Sequence, residues 1–159
     1  MKQAIAFAPV RKTVRVKAPL TRAFEVFTAS SWWPREHSIL KGTRQQVVLI
    51  EPRAGGRWFE RGEDGSECDW GKVLAWEPPT RLLLSWQLNG NFQVDPNLVT
   101  EVEVTFISED ANLTRVELEH RYIERAGDTA AALRAGVDSP GGWAGLLERF
   151  AEAVRGSAH

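Results

Sequence analysis

The stretch from Glu67 to Trp86, ECDWGKVLAWEPPTRLLLSW, places Trp70, Trp76 and Trp86 on two strand-like runs separated by Pro78-Pro79. Proline cannot donate to a sheet ladder, so the pair ends the first run and turns the chain back. The chain has seven tryptophans in 159 residues. Each carries a large apolar body and an N–H that needs a partner once it leaves water. A sheet curved over an interior meets both demands. The parity of the first run is open. Trp70 and Trp76 fall on one face and Gly71 and Val73 on the other, unless a bulge exchanges them.

Around this stretch the chain reads as strands bracketed by two helices. Val10 to Lys17 alternates, with Val14 and Val16 facing one way and Thr13, Arg15 and Lys17 the other, as a half-buried strand does. Pro19 suits the first turn of a helix, in which Leu20, Ala23, Phe24 and Phe27 share one face up to about Ser30. After the irregular Trp32-Trp33-Pro34 segment, strands are expected over Val47 to Ile50 and Arg57 to Arg61. Gly62-Glu63-Asp64-Gly65 marks a hairpin, Glu67 to Trp76 the return strand and Leu82 to Gln87 the next. Val102, Val104 and Phe106, then Val116, Leu118 and His120, give two long strands with one oily face each, joined by Asp110-Ala111-Asn112. Asp128 to Arg134 makes one or two helical turns ended by Gly136. In the last helix Ser139 is the cap and Pro140 the first residue. Trp143, Leu146, Leu147, Phe150 and Val154 form its stripe, with Gly156 just past the end.

Composition narrows the function classes. Twenty Lys plus Arg against twenty-one Asp plus Glu leave a net charge of -1, so the electrostatic footprint of a nucleic-acid binder is missing. The single Cys68 cannot form an internal disulfide, and Arg11, Lys12, Arg15 and Lys17 interrupt any apolar run of signal-peptide length, which places the protein in the cytoplasm. No window approaches the length of a membrane span. There is no internal repeat or linker, so residues 1–159 are expected to form a single domain. G-x-S-x-G, H-E-x-x-H, P-loop and G-x-G-x-x-G signatures are all missing. No metal, cofactor or catalytic residue is therefore assigned, a role other than catalysis is favoured, and the oligomeric state is left open.

The element order implies an α+β protein, an antiparallel sheet with helices on one face. Its motif set resembles the helix-grip fold of the START-like (SRPBCC) superfamily, in the branch of the C-terminal domain of the activator of Hsp90 ATPase. The resemblance rests on Ala18, Pro19, Ala23, Phe24 and Phe27, on Trp32-Trp33-Pro34 with His37-Ser38, and on Glu51-Pro52-Arg53-Ala54-Gly55-Gly56-Arg57-Trp58. Trp70-Gly71-Lys72-Val73, Glu77-Pro78-Pro79, Glu119-His120-Arg121 and Gly141-Gly142-Trp143 with Leu147 complete it. It implies a curved sheet of about six to seven strands wrapped around a long C-terminal helix, with short helices after the first strand. It also implies a cavity for a small apolar or amphipathic molecule between sheet and helix. A chaperone or other protein partner is the first alternative, and a cyclase or isomerase acting in the same cavity the second. The chain lacks the N-x-N-x-W-H-W type of segment found in the Hsp90 activators themselves.

The ligand-binding residues expected are Phe27, Trp33, His37, Trp58, Trp70, Trp86, Phe106, His120, Trp143 and Leu147, because such sites are mostly apolar with a few orienting polar groups. Each aromatic residue can equally be core. His120 shares parity with Val116 and Leu118 and so points inward, where it serves as a polar handle or as a core histidine satisfied by its neighbours. His37 is expected at the cavity mouth or on an exposed loop. Glu51, Glu60, Arg61 and Asp69 read as solvated pairs on the outer sheet face, and Cys68 as a small buried side chain.

Overall fold

Alternation in β6 (Thr100–Asp110) and β7 (Leu113–Arg121) builds the centre of the sheet: Val102 lies opposite His120, Val104 opposite Leu118 and Phe106 opposite Val116. All six are buried. On the other face Arg121 bridges Glu101, Glu103 and Glu119 at 2.8 to 3.0 Å. Period-2 alternation thus separates an apolar concave face from a charged, solvated one.

The computed structural model describes residues 7–156, and His159 lies outside them. The remaining strands are β1 (Val10–Val16), β2 (Gln45–Ile50), β3 (Arg57–Gly62), β4 (Glu67–Glu77) and β5 (Arg81–Trp86). They join β6 and β7 in one antiparallel seven-stranded sheet of order β1-β7-β6-β5-β4-β3-β2. The sheet curls around α1 (Leu20–Ala29) and α3 (Trp143–Gly156), the helix-grip arrangement, with α2 (Ala130–Asp138) packed at one end. No helix of the described residues is long and apolar enough to cross a membrane.

Strand β4 settles its own parity with two irregularities. Trp58 pairs with Gly71 but Phe59 with Asp69, and Val73 pairs with Leu84 but Ala75 with Leu83, so Trp70 and Leu74 are extra residues. Each bulge shifts the alternation by one. Trp70, Val73 and Trp76 therefore all reach the core side, against the simple reading that Val73 opposes the two tryptophans. The first bulge draws β4 onto β5 so closely that a Cβ on Gly71 would sit 1.8 Å from the Ser85 carbonyl oxygen. Only glycine leaves room there.

The helices follow their apolar faces, with two corrections to the sequence reading. α1 buries Ala23, Phe24 and Phe27 and ends at Ser30, whose φ of 61° is left-handed. The Trp32 indole N–H then donates to the Phe27 and Val26 carbonyls at 3.1 and 3.2 Å, satisfying the open end of the helix. Gly136 does not end α2. The helix continues to Asp138 because Leu133 and Val137, one turn apart, are both buried, and their burial outweighs a glycine cost of about 1 kcal/mol. Ser139 does not begin α3 either. Its hydroxyl donates to the Gly136 carbonyl at 2.7 Å and closes α2, and α3 starts at Trp143 and includes Gly156.

Gly71→Ala is expected to lower the unfolding free energy by about 2 kcal/mol or more, since the new methyl meets backbone that cannot yield cheaply. Gly156→Ala, which meets nothing within 4 Å, is the control expected to leave stability unchanged or slightly raised. Urea unfolding of both variants checks the contrast.

Candidate functional site

Consecutive tryptophans divide the interior in two. Trp32 packs on Phe27 and Phe150 with ring centroids 5.2 and 5.8 Å away. Phe24 and Phe27 in turn meet Phe106 at 5.2 and 5.7 Å, which closes this end of the core. Trp33 turns the other way, onto Trp70 at 5.2 Å, Trp143 at 6.0 Å and Trp58 at 6.1 Å. Beside this second cluster lies a cavity of about 420 Å³. Trp70 and Trp86 line it from the sheet, Val137, Trp143 and Leu146 from α2 and α3, and residues 33 and 36–39 from the segment after α1.

Of the residues expected from sequence, the cavity brings together Trp33, His37, Trp70, Trp86 and Trp143. Phe27, Phe106 and Leu147 lie in the buried core away from its lining, Trp58 stands behind Trp33, Trp70 and Trp86, and His120 behind Trp86 and Trp143. The sequence reading missed Phe92, which is 45% exposed, holds a left-handed φ of 56° and lies over Gly136 at the rim. A lone aromatic in the Asn- and Gly-rich loop after β5 was the available signal. Val137 and Leu146 were also missed, although Leu146 stood on the stripe of the last helix.

His120 is fully enclosed, and both ring nitrogens are engaged. Thr100 donates its hydroxyl to the Trp86 carbonyl at 3.0 Å and therefore accepts Nε2–H of His120 at 2.8 Å. This leaves Nδ1 to accept the Trp143 indole N–H at 3.1 Å. One neutral tautomer satisfies the whole chain. Burial pushes the imidazole well below its ordinary value, to about 3. His37 is half-buried at the cavity. Its own burial lowers its pKa, Glu36 opposes that shift and Arg149 adds to it.

Glu60 corrects the expectation of outer-face carboxylates. Glu51, Arg61 and Asp69 do take part in surface pairs, Arg61 with Glu67 and Asp69 with Arg57. Glu60 instead shares the inward parity of Trp58, is completely buried and makes no ion pair among the described residues, its hydrogen bonds all coming from neutral donors. Its oxygens accept from the Ser38 hydroxyl at 2.5 Å, the Trp70 indole at 2.9 Å, the Ile39 backbone N–H at 3.0 Å and the Gln45 amide at 3.1 Å. Four donors match what an ionised carboxylate can accept. Three of them, on Ser38, Ile39 and Trp70, belong to residues that line the cavity. Cys68 is half-buried, and burial raises its thiol pKa.

Comparison with known proteins places this geometry in context. The profile of activator of Hsp90 ATPase homolog 1-like proteins matches residues 17–155. Among solved structures, an anthrahydroquino-gamma-pyrone synthase, Txn09, complexed with SUM, is 38% identical over 93% of this chain and 97% of its own, with a TM-score of 0.64. CalC, a self-sacrificing resistance protein from Micromonospora echinospora, is 30% identical over 93% of this chain and 94% of its own, with a TM-score of 0.68. An AHSA1-like protein from Aeromonas hydrophila shares the fold at 20% identity, with 92% of this chain and 93% of its own covered and a TM-score of 0.57. No curated protein matches the chain.

The buried imidazole has a consequence for stability. An unfolded chain protonates His120 near its ordinary 6.5, while the folded protein resists protonation down to about 3. Its contribution is therefore fully present above about 6.5 and is lost as pH falls toward 3, with a slope of up to about 1.4 kcal/mol per pH unit. His37 acts in the same direction, so the measurement is a difference. Between pH 6.5 and 5, the unfolding free energy of wild type is expected to fall more steeply than that of His120→Gln. Parallel profiles would show that the ring does not stay neutral in the fold.

Proposed function

The chain belongs to the family of activator of Hsp90 ATPase homolog 1-like proteins, and from that premise we propose that it binds a small, largely apolar aromatic molecule in the cavity between the sheet and α3. The observation that carries this reading is the ring-lined cavity itself. About 420 Å³ bordered by Trp33, Trp70, Trp86, Phe92 and Trp143 falls within the range for small-molecule sites, which are mostly apolar with few polar groups. Trp33 Nε1 is buried without a hydrogen-bond partner among the described residues, and a carbonyl or phenolic oxygen on the guest is a chemically suitable acceptor. The similarity to an anthrahydroquino-gamma-pyrone synthase supports a polycyclic guest.

A second reading, catalysis on the same guest, is favoured by His37. The burial that lowers its pKa favours the unprotonated ring, the state in which it can take a proton from a phenol or an activated carbon. The 38% identity to the pyrone synthase points the same way. His37→Asn would then retain guest binding while losing turnover.

A neutral tricyclic quinone such as 1-hydroxyanthraquinone is expected to quench tryptophan emission saturably at one site. Gly136→Leu provides the blocked form, since a Cβ there meets only the Phe92 ring, at 3.5 Å, and Gly136 lines the cavity. It also removes a glycine from a helix interior, so the fold should hold or gain about 1 kcal/mol. The variant is expected to keep its melting temperature and weaken quinone binding at least about tenfold. Wild-type protein that binds no neutral aromatic saturably would overturn the reading.

A further inference from the structure

The charges around the cavity are unbalanced in one direction. No lysine or arginine lines it among the described residues. Its one charged lining side chain is Glu36, which is exposed and pairs with Arg149 at 2.9 Å. Behind the wall, Glu60 is hydrogen-bonded to Ser38, Ile39 and Trp70, and each of its four donors is neutral. A carboxylate in so dry a place, solvated only by dipoles, projects its field further than a surface one does, because little water screens it.

The aromatic lining acts in the same sense. Three of its four indoles direct their N–H groups at acceptors inside the protein: Trp70 at Glu60, Trp86 at the Leu88 carbonyl 3.0 Å away and Trp143 at His120 Nδ1. Those donors are not available to an anionic guest. Beyond the one unpartnered N–H of Trp33, what the cavity offers is ring surface, whose negative quadrupole attracts cations. The helix ends at the cavity oppose one another. The α3 N-terminus contributes partial positive charge and the α2 C-terminus partial negative charge, and Gly142 packs against the Val137 carbonyl where the two meet. Neither end sets the sign. Burial depresses the His37 pKa, which works against a positive charge there.

We infer that the cavity selects guests by charge and takes an aromatic body bearing an alkylammonium group, with the Glu60 carboxylate behind the Ser38 and Trp70 wall as its counter-charge. This inference rests on the reading of the cavity as a guest site and adds a chemical class to it. Carboxylated guests, fatty acids among them, are excluded by the same field.

Three probes that share one ring system separate the two ideas: 9-anthracenylmethyl-trimethylammonium, 9-anthracenemethanol and 9-anthracenecarboxylate. Each is titrated into wild-type protein at pH 7.5, with tryptophan quenching as the readout. The ammonium is expected to bind about tenfold more tightly than the alcohol, and the carboxylate more weakly than both. Equal affinities, or a tighter carboxylate, overturn the charge selection and leave the cavity standing as a guest site. No saturable binding by any of the three overturns both. Glu60→Gln places an amide among donors and can destabilise the fold, so the wild-type comparison is decisive by itself. In Glu60→Gln protein that retains the native near-ultraviolet circular dichroism, the ammonium-to-alcohol ratio is expected to fall toward one, and an unchanged ratio removes Glu60 as the counter-charge.

Discussion

The hydrogen bond from the Trp143 indole to Nδ1 of His120 ties the helix to the sheet, and much of the interior is arranged around it. An imidazole can accept on one nitrogen only by donating on the other, so the bond requires Thr100 at Nε2, and Thr100 in turn hands its own proton to the Trp86 carbonyl. Four residues from β5, β6, β7 and α3 are fixed by one tautomer. Burial without water makes each bond costly to leave unmade. The same bonds hold Trp86 and Trp143, 5.5 Å apart, as a rigid wall of the cavity. The histidine that looked most available to a guest is thus committed to the protein that surrounds it.

A second constraint lies in β4. A strand without irregularities presents every other residue to the core, whereas Trp70, Val73 and Trp76 stand at every third position. The two bulges reconcile that spacing with a curved sheet and bring all three inward. Gly71 permits the close approach to Ser85 that the first bulge creates. Trp70 gains from this position a partner for its N–H, the Glu60 carboxylate, and Glu60 gains one of the donors that make its burial tolerable. Packing and polar satisfaction therefore depend on the same local departure from regular structure.

The closed and open ends of the interior explain why a filled core and a cavity coexist. Phenylalanines on α1, β6 and α3 interdigitate edge to face at one end. At the other end the bulky indoles meet the short α2–α3 junction, where Gly141 and Gly142 bring no side chain. The boundary between the two falls between adjacent residues, Trp32 and Trp33.

Much of the fold was legible because it is written in alternation. The β6–β7 hairpin, the stripe of α3 and the hairpin at Gly62 to Gly65 follow from side-chain period and turn chemistry, which are local properties of a chain. Trp33, His37, Trp70, Trp86 and Trp143 could be named as cavity candidates since large rings must go inside and the sheet has only one apolar face. Sequence did not reveal the two bulges, the continuation of α2 through Gly136, the burial of Glu60, or which inward aromatic residues border space and which fill it. Those outcomes depend on contacts between residues distant in the chain: β3 against β4, the segment after α1 against Glu60, and Trp143 against His120. Local pattern determines which face a residue takes, whereas the neighbours it meets there are set only when the sheet closes around the helix.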